Sequence, residues 1–366
     1  MQSLDSRGRC VRFLREDTRC AGARWLRCAL SPFALAYGAA MRLRRAAYRN
    51  GILRSRDLGV PVVSIGNLSA GGTGKTPMAE WVVRRLAQMG RHPAILSRGY
   101  GARENVAGRP RNDEALLLER RLPGIPHYAD PDRVAFGRRA IADGADCLVL
   151  DDGFQHMRMH RKVDLVLADA LKPLRGRRLI PAGDLREPLS ALRRADAIVL
   201  TRTDLLDPKT LAERRAEIQA LAPGVPVIEA AHRATGLADL QGRQPESPER
   251  LAGKRVMLFC GIGNPQGFLA TARRLEADVV AMQFLPDHFH YGASDLDRLA
   301  GLFESSGAEA VVTTEKDAVK LAAYLEADSI SPRAAAFLRR LRILRVEMAI
   351  LSGEETLDNL LKGAVA

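Results

Sequence analysis

The sequence predicts an α/β protein: a parallel sheet flanked by helices, with a second, smaller α/β domain. Three observations carry this prediction. Short β-branched runs alternate with helical stretches along most of the chain. One such run, Val62-Val63-Ser64-Ile65, feeds a glycine-rich loop and then a helical pattern. Another, Cys147-Leu148-Val149-Leu150, is purely apolar and ends in Asp151-Asp152, as a strand buried on both faces reads.

The glycine-rich loop is Ser69-Ala70-Gly71-Gly72-Thr73-Gly74-Lys75-Thr76. A helix is expected from Pro77, a residue that the first helical turn tolerates. Strand, glycine loop, Gly-Lys-Thr and helix together form a P-loop, so the sheet reads as P-loop NTPase-like. Glycines let backbone N–H groups curl around an anion, and the helix start adds partial positive charge. Residues 69–76 are therefore the expected cradle for ATP. Lys75 would reach the β- and γ-phosphates, and the Thr76 hydroxyl would ligate Mg²⁺. Asp151 and Asp152 have the Walker B form and would serve the same ion. The strict pattern asks for glycine where Ser69 stands.

With 366 residues the chain has room for about two domains. The boundaries expected are a basic N-terminal segment at 1–30, a membrane-facing helix plus nucleotide-binding domain at 31–168 and a second α/β domain at 169–366, whose C-terminal elements could return to the first. The net charge is +13, and residues 1–60 hold 13 arginines against four acids. Aromatic residues make up 5% of the chain and do not interleave with the basic clusters, which argues against nucleic acid as a partner. The five cysteines are scattered without metal-ligand spacing and read as reduced, buried thiols.

The apolar run 28–41 is 14 residues long, too short to cross a bilayer. A helix from Pro32 onward would set Phe33, Leu35, Tyr37 and Leu43 near a face flanked by Arg42, Arg44, Arg45 and Arg49. That pattern suits a helix lying in a membrane interface. Farther on, strands are expected at 94–97, 125–128, 147–150, 163–168, 197–201, 226–229, 256–260, 278–284, 310–314 and 341–350. Helices are expected at 77–89, 115–121, 131–142 (capped by Asp130), 208–221, 333–340 and 354–362, and others open after Pro265 and at Glu315. Residues 232–253 read as polar and without period.

Six blocks in this order resemble one family. They are Ser64 to Pro77, Leu96-Ser97-Arg98-Gly99-Tyr100, Asp151-Asp152-Gly153-Phe154-Gln155-His156, Pro181 to Glu187, Gly261-Ile262-Gly263-Asn264-Pro265, and Thr313 to Lys320. Together, over roughly residues 30–350, they resemble the tetraacyldisaccharide 4′-kinases, the lipid A 4′-kinases of Gram-negative bacteria. Ser69 fits that family's loop. The resemblance implies transfer of the γ-phosphoryl of ATP to the 4′-hydroxyl of a tetraacylated glucosamine disaccharide 1-phosphate. It places the protein at the cytoplasmic face of the inner membrane, as a peripheral protein meeting its lipid A precursor there.

The resemblance also assigns roles. The family's Gly-Asp-Glu motif reads Asn112-Asp113-Glu114 here. Asp113 is implied as base or orienter for the acceptor hydroxyl, His288 as its partner, and Lys75 as the catalytic lysine. Tyr100, Glu114, Arg133, His156, Arg186 and Glu187 are implied as substrate contacts; Glu187 equally suits a role in bonding its own loop.

Overall fold

The computed structural model describes residues 21–99, 103–104, 110–111, 113–243, 245–325 and 330–366. Five parallel strands form the half of the sheet around the P-loop: β1 (Val62–Asn67), β2 (Pro93–Ser97), β5 (His127–Ala129), β6 (Cys147–Asp151) and β7 (Val163–Asp169). Apart from β5, these strands are buried along their whole length, as their continuous apolar runs require. β8 (Ala197–Thr201) extends this half on the far side of β7. A two-stranded ribbon, β3 (Arg103–Glu104) with β4 (Pro110–Arg111), stands apart.

The other half holds β10 (Arg255–Cys260), β11 (Asp278–Phe284) and β12 (Ala310–Thr314). The two halves join through β9 (Val227–Ala238) and β13 (Leu341–Ser352), which pair antiparallel over most of their length. The order is β11-β10-β12-β13-β9-β8-β7-β1-β6-β2-β5, one sheet of eleven strands. Register explains how the halves meet. β8 pairs only with the start of β9, at Val227 to Ala230, and β12 only with the start of β13, at Leu341 to Leu344. The antiparallel ribbon between these ends sets the carboxyl ends of the two parallel halves facing each other. In parallel sheets ligand sites lie at those ends.

Helices cover the sheet faces. α1 (Ala21–Arg49), α2 (Lys75–Gln88), α3 (Asp113–Arg121), α4 (Arg133–Ala142) and α5 (Pro208–Leu221) belong to the P-loop side. α6 (Pro265–Arg274), α7 (Ala293–Ser306), α8 (Glu315–Leu321) and α9 (Pro332–Arg339) belong to the other. The last helix, α10 (Glu354–Val365), returns to the P-loop half. There Leu357 and Leu361 pack beside Met78, Val82 and Leu86 of α2, all buried.

Several expectations are corrected. α1 begins at Ala21, not Pro32, and Pro32 lies inside it. The proline removes one helical N–H; it sits on the exposed face with Cys28, whose carbonyl loses that donor, and Ser31 Oγ donates to the Arg27 carbonyl at 2.7 Å. α2 starts at Lys75, two residues before Pro77. Asp132, not Asp130, caps α4, accepting from the Ala135 N–H at 3.3 Å, while Asp130 accepts from the Asp132 N–H at 2.7 Å. β9 runs on to Ala238 through a stretch that reads as polar, because the ribbon is half-exposed there. α7 has no counterpart among the expected elements.

Arg121 ties four elements at the edge of the cleft. It pairs with Glu80 of α2 at 2.6 Å, with Glu315 of α8, and with the Val346 carbonyl of β13 at 2.8 Å. Removing it leaves two nearly buried carboxylates short of a partner, although Arg84 and Arg345 still reach them. Arg121→Leu is therefore expected to cost about 3 kcal/mol of stability, read as a lower urea midpoint; an unchanged midpoint would show the cluster to be dispensable.

Candidate active site

The P-loop sits between β1 and α2. Its glycines earn their places at two positions: Gly71 has φ 143° and Gly74 has φ 94°. Ser69 needs no such freedom, which is why glycine is absent there. Instead Ser69 bridges to Leu185, and the Ala70 N–H donates to the Asp184 carbonyl at 2.8 Å. A Cβ on Gly74 would lie 2.3 Å from Nε2 of the half-buried His232, and one on Gly263 would lie 2.6 Å from the Gly72 nitrogen. The loop is thus packed between β9 and the turn after β10.

Side chains at the ends of β7 and β8 hold its carbonyls. Thr201 Oγ1 donates to the Thr73 carbonyl at 3.0 Å, and Arg202 Nη2 to the Gly72 carbonyl at 2.9 Å. Arg202 in turn pairs with Asp169 at 3.1 Å, and Asn264 Nδ2 donates to the same carboxylate at 2.6 Å. The peptide unit is rigid, so a Thr73 carbonyl turned outward aims the Gly74 N–H the opposite way. The first helical N–H groups, from Lys75 onward, have no acceptor within the helix.

Beside the loop lie the two aspartates. Asp152 pairs with Lys75 at 3.4 Å and with Arg186 at 2.8 Å. Burial alone would raise its carboxyl, but Lys75 and Arg186 outweigh that and hold it at about 2. Burial and the Glu114 carboxylate push the neighbouring Asp151 up to about 7, against the pull of Lys75. Asp151 Oδ1 is buried and without a hydrogen-bond partner. Among the described residues no three His, Cys, Asp or Glu side chains converge as a ligand set. An ion here needs the Thr76 hydroxyl and phosphate oxygens as well as the aspartates, the mixed shell that Mg²⁺ takes in nucleotide sites. An orphaned carboxylate oxygen beside the cradle fits that ion.

The opposing wall comes from α3, the loop after β11 and α8. His288 Nδ1 lies 3.5 Å from Asp113 Oδ2. Lys316 Nζ reaches Glu114 at 3.2 Å, Asp287 at 3.3 Å and His288 Nε2 at 3.5 Å. Lys320 approaches Asp113 at 3.7 Å. Burial alone would raise Asp113, but His288, Lys320 and Lys316 outweigh it and hold the carboxyl below its ordinary value. One cavity of about 400 Å³ joins the walls, lined by Gly71 to Pro77, Asp151, Asp152 and Arg186 on one side and by Glu114, Asp287, His288 and Lys316 on the other. His232, Leu344 and Val346 of the ribbon also line it.

The expected residues divide three ways. Lys75, Thr76, Asp151, Asp152, Glu114, Arg186 and His288 line the cavity, and Asp113 supports His288 without being part of the lining. Arg133, His156 and Glu187 do not line it. Arg133 is buried and donates to the Asp152 carbonyl at 3.0 Å. Glu187 is held by two Arg194 nitrogens at 2.6 and 2.8 Å, with that guanidinium 3.7 Å from the Phe154 ring centroid. Burial and the guanidinium of Arg133 push His156 down to about 4, so it is neutral at physiological pH. Tyr100 and Asn112 lie outside the described residues. Sequence reasoning missed Arg202, Asp169 and Asn264 as braces of the loop, and Lys316 as a cavity residue. The strand-end positions of Asp169 and Arg202 were the available signal.

The fold and the site define a P-loop phosphotransferase, with a phosphate cradle facing a histidine–carboxylate pair. The family model described as LpxK, tetraacyldisaccharide-1-P 4′-kinase, matches residues 26–366, and the chain belongs to this family. It is 42% identical over 343 residues to the tetraacyldisaccharide 4′-kinase of Anaeromyxobacter dehalogenans strain 2CP-1, covering 90% of this chain and 88% of that one. It is 39% identical over 313 residues to the enzyme of the same name from Syntrophus aciditrophicus, covering 80% and 84%. The crystal structure of LpxK from Aquifex aeolicus in complex with ATP superposes with a TM-score of 0.70 at 28% identity, over 93% of this chain and 100% of that one.

Gly74→Ala forces a side chain into left-handed backbone and against His232. Its affinity for a non-hydrolysable ATP analogue, measured by calorimetry, should fall about tenfold or more. Wild-type affinity would mean that the cradle has slack at this point.

Proposed function

We propose that this protein transfers the γ-phosphoryl group of ATP to the 4′-hydroxyl of a tetraacylated glucosamine disaccharide 1-phosphate, a step in making lipid A. The observation that carries the reading is the shared cavity, with the P-loop on one wall and His288, Asp287 and Lys316 on the other. The relatives bear this activity in their names, and the Aquifex structure holds ATP.

In this reading the backbone of residues 71–76 cradles the triphosphate, while Ser69 and Ala70, expected in the cradle, lie outside the cavity lining and tie the start of the loop to Leu185 and Asp184. Lys75 neutralises charge on the transferring group. Thr76, Asp151 and Asp152 would hold Mg²⁺, which would supply further neutralisation of phosphate charge. The acceptor oxygen attacks the γ-phosphorus while the bond from phosphorus to the ADP oxygen breaks. The hydroxyl proton passes to the Asp113–His288 pair, whose cavity-facing member is His288. Glu114 and Arg186 face the acceptor; Arg133, His156 and Glu187 shape residues 152–156 beneath it. Catalysis rests on position and charge.

The membrane reading rests on α1. Trp25, Phe33, Leu35 and Leu43 are 79%, 65%, 72% and 72% exposed, and Ile52 just beyond is 76% exposed. Tyr37 donates to the Arg186 carbonyl at 2.8 Å and Arg44 to the Gln155 carbonyl at 3.2 Å, so the helix lies against the loops that border the site. Among the described residues no helix is long and apolar enough to cross a membrane. The proposal is a helix lying on the cytoplasmic surface of the inner membrane, its arginines facing anionic headgroups. The expected division at about residue 168 falls inside the P-loop half, which runs on through β8; the unit proposed to supply His288 is the one built on β10, β11 and β12.

Incubation with labelled ATP and the disaccharide 1-phosphate lipid should yield a bis-phosphorylated product. Asp113→Ala should lower kcat by roughly 10²-fold; an unaltered kcat moves proton transfer to another residue. Burying each leucine contributes about 1.5–3 kcal/mol, so Leu35→Glu with Leu43→Glu should cut co-sedimentation with anionic vesicles at least tenfold or so while sparing ATP binding. Equal sedimentation would remove α1 from the membrane contact.

A further inference from the structure

One buried cation near the site has no part in the scheme above. The Lys320 side chain is 9% exposed, and its Nζ lies 3.0 Å from Asp317 Oδ1 and 3.7 Å from Asp113 Oδ2. The ammonium also lies over the Tyr291 ring, 5.4 Å from its centroid. Asp317 is fully buried and itself firmly placed. It accepts from the Gly261 N–H at 3.1 Å, the Tyr291 hydroxyl at 2.8 Å and the Thr314 hydroxyl at 2.7 Å. Burying an ammonium is costly and is sustained only by well-placed anions. A methionine would fill the volume without that cost. The charge itself therefore calls for a reason, and the second carboxylate it meets is Asp113.

We propose that Lys320 is a positioning residue for phosphoryl transfer: anchored on Asp317, it keeps Asp113 ionised and aimed at Nδ1 of His288. This rests on the reading that Asp113 and His288 take up the acceptor's proton. Among the described residues the charged and titratable groups around the pair are these. α3 gives Glu114, the loop after β11 gives Asp287, and α8 gives Lys316 and Asp317; the Tyr291 hydroxyl and the Cys260 thiol lie behind. Lys316 is engaged by Glu114 and Asp287, which among the described residues leaves Lys320 as the ammonium beside Asp113. An ionised Asp113 holds the Nδ1–H tautomer of His288, so that Nε2 presents its lone pair.

The test compares pH–rate profiles of the wild type, Lys320→Met, Lys320→Arg and Asp113→Asn at saturating ATP. Loss of a positive charge beside the pair favours its protonated form, so in Lys320→Met the acid-side limb should move up by about one pH unit. Its kcat should fall about tenfold, while KM for ATP stays within about twofold. Lys320→Arg, which keeps the charge, should return the limb to its wild-type position. A Lys320→Met enzyme that melts and binds ATP as the wild type does, with the limb unmoved, overturns the proposal. If Lys320→Met does not fold, Lys320→Gln gives the same readout. Asp113→Asn at wild-type rate overturns the pair and the proposal together; a crippled Asp113→Asn beside an unmoved Lys320→Met limb overturns only the role of Lys320.

Discussion

The site depends on how the P-loop carbonyls are held. A loop of glycines has no intrinsic shape, since each residue can populate either hand of the backbone. Here Thr201 and Arg202 fix the carbonyls of Thr73 and Gly72 from outside, and Asp169 and Asn264 fix Arg202. The cradle is therefore shaped from behind, by strand ends, before any anion arrives. Asn264 comes from the turn after β10, so the brace already spans both halves of the sheet.

The β9–β13 ribbon makes that span possible. It reverses direction once in an otherwise parallel sheet and so turns two sets of carboxyl ends toward each other. One set brings the cradle and the Walker B aspartates, which come from adjacent parallel strands. The other brings His288 and Lys316. Charge is arranged to match. Asp152 is held ionised by Lys75 and Arg186, whereas Asp151 is pushed toward its neutral form by burial and Glu114. A divalent cation would reverse that preference, which couples the metal to the aspartate that lacks a partner.

Parts of this were legible in the sequence because their geometry is local. Gly71 to Thr76 lie within one turn of chain, and the aspartates directly follow an apolar strand. The Asp113–His288 pair is different: 175 positions separate the two residues, and it was resemblance, not spacing, that joined them. Arg202 and Asp169 carry only the mark of their strand-end positions, and an arginine after a strand ordinarily reads as surface. A half-exposed ribbon reads as polar, which hides the second half of β9, and Pro32 looks like a helix start although α1 runs through it. Glu187 drew attention by its motif, yet its carboxylate is engaged by Arg194 and Gln155.

The central claim is that the cradle and the His288 wall serve one reaction across one cavity. A crystal structure with a non-hydrolysable ATP analogue and Mg²⁺ tests it most directly. The account predicts the triphosphate along residues 71–76, with its γ-phosphorus within about 6–7 Å of His288, the span of one hydrogen bond and one near-attack contact. A triphosphate seated elsewhere, or a γ-phosphorus well beyond that reach with the halves closed, would contradict it.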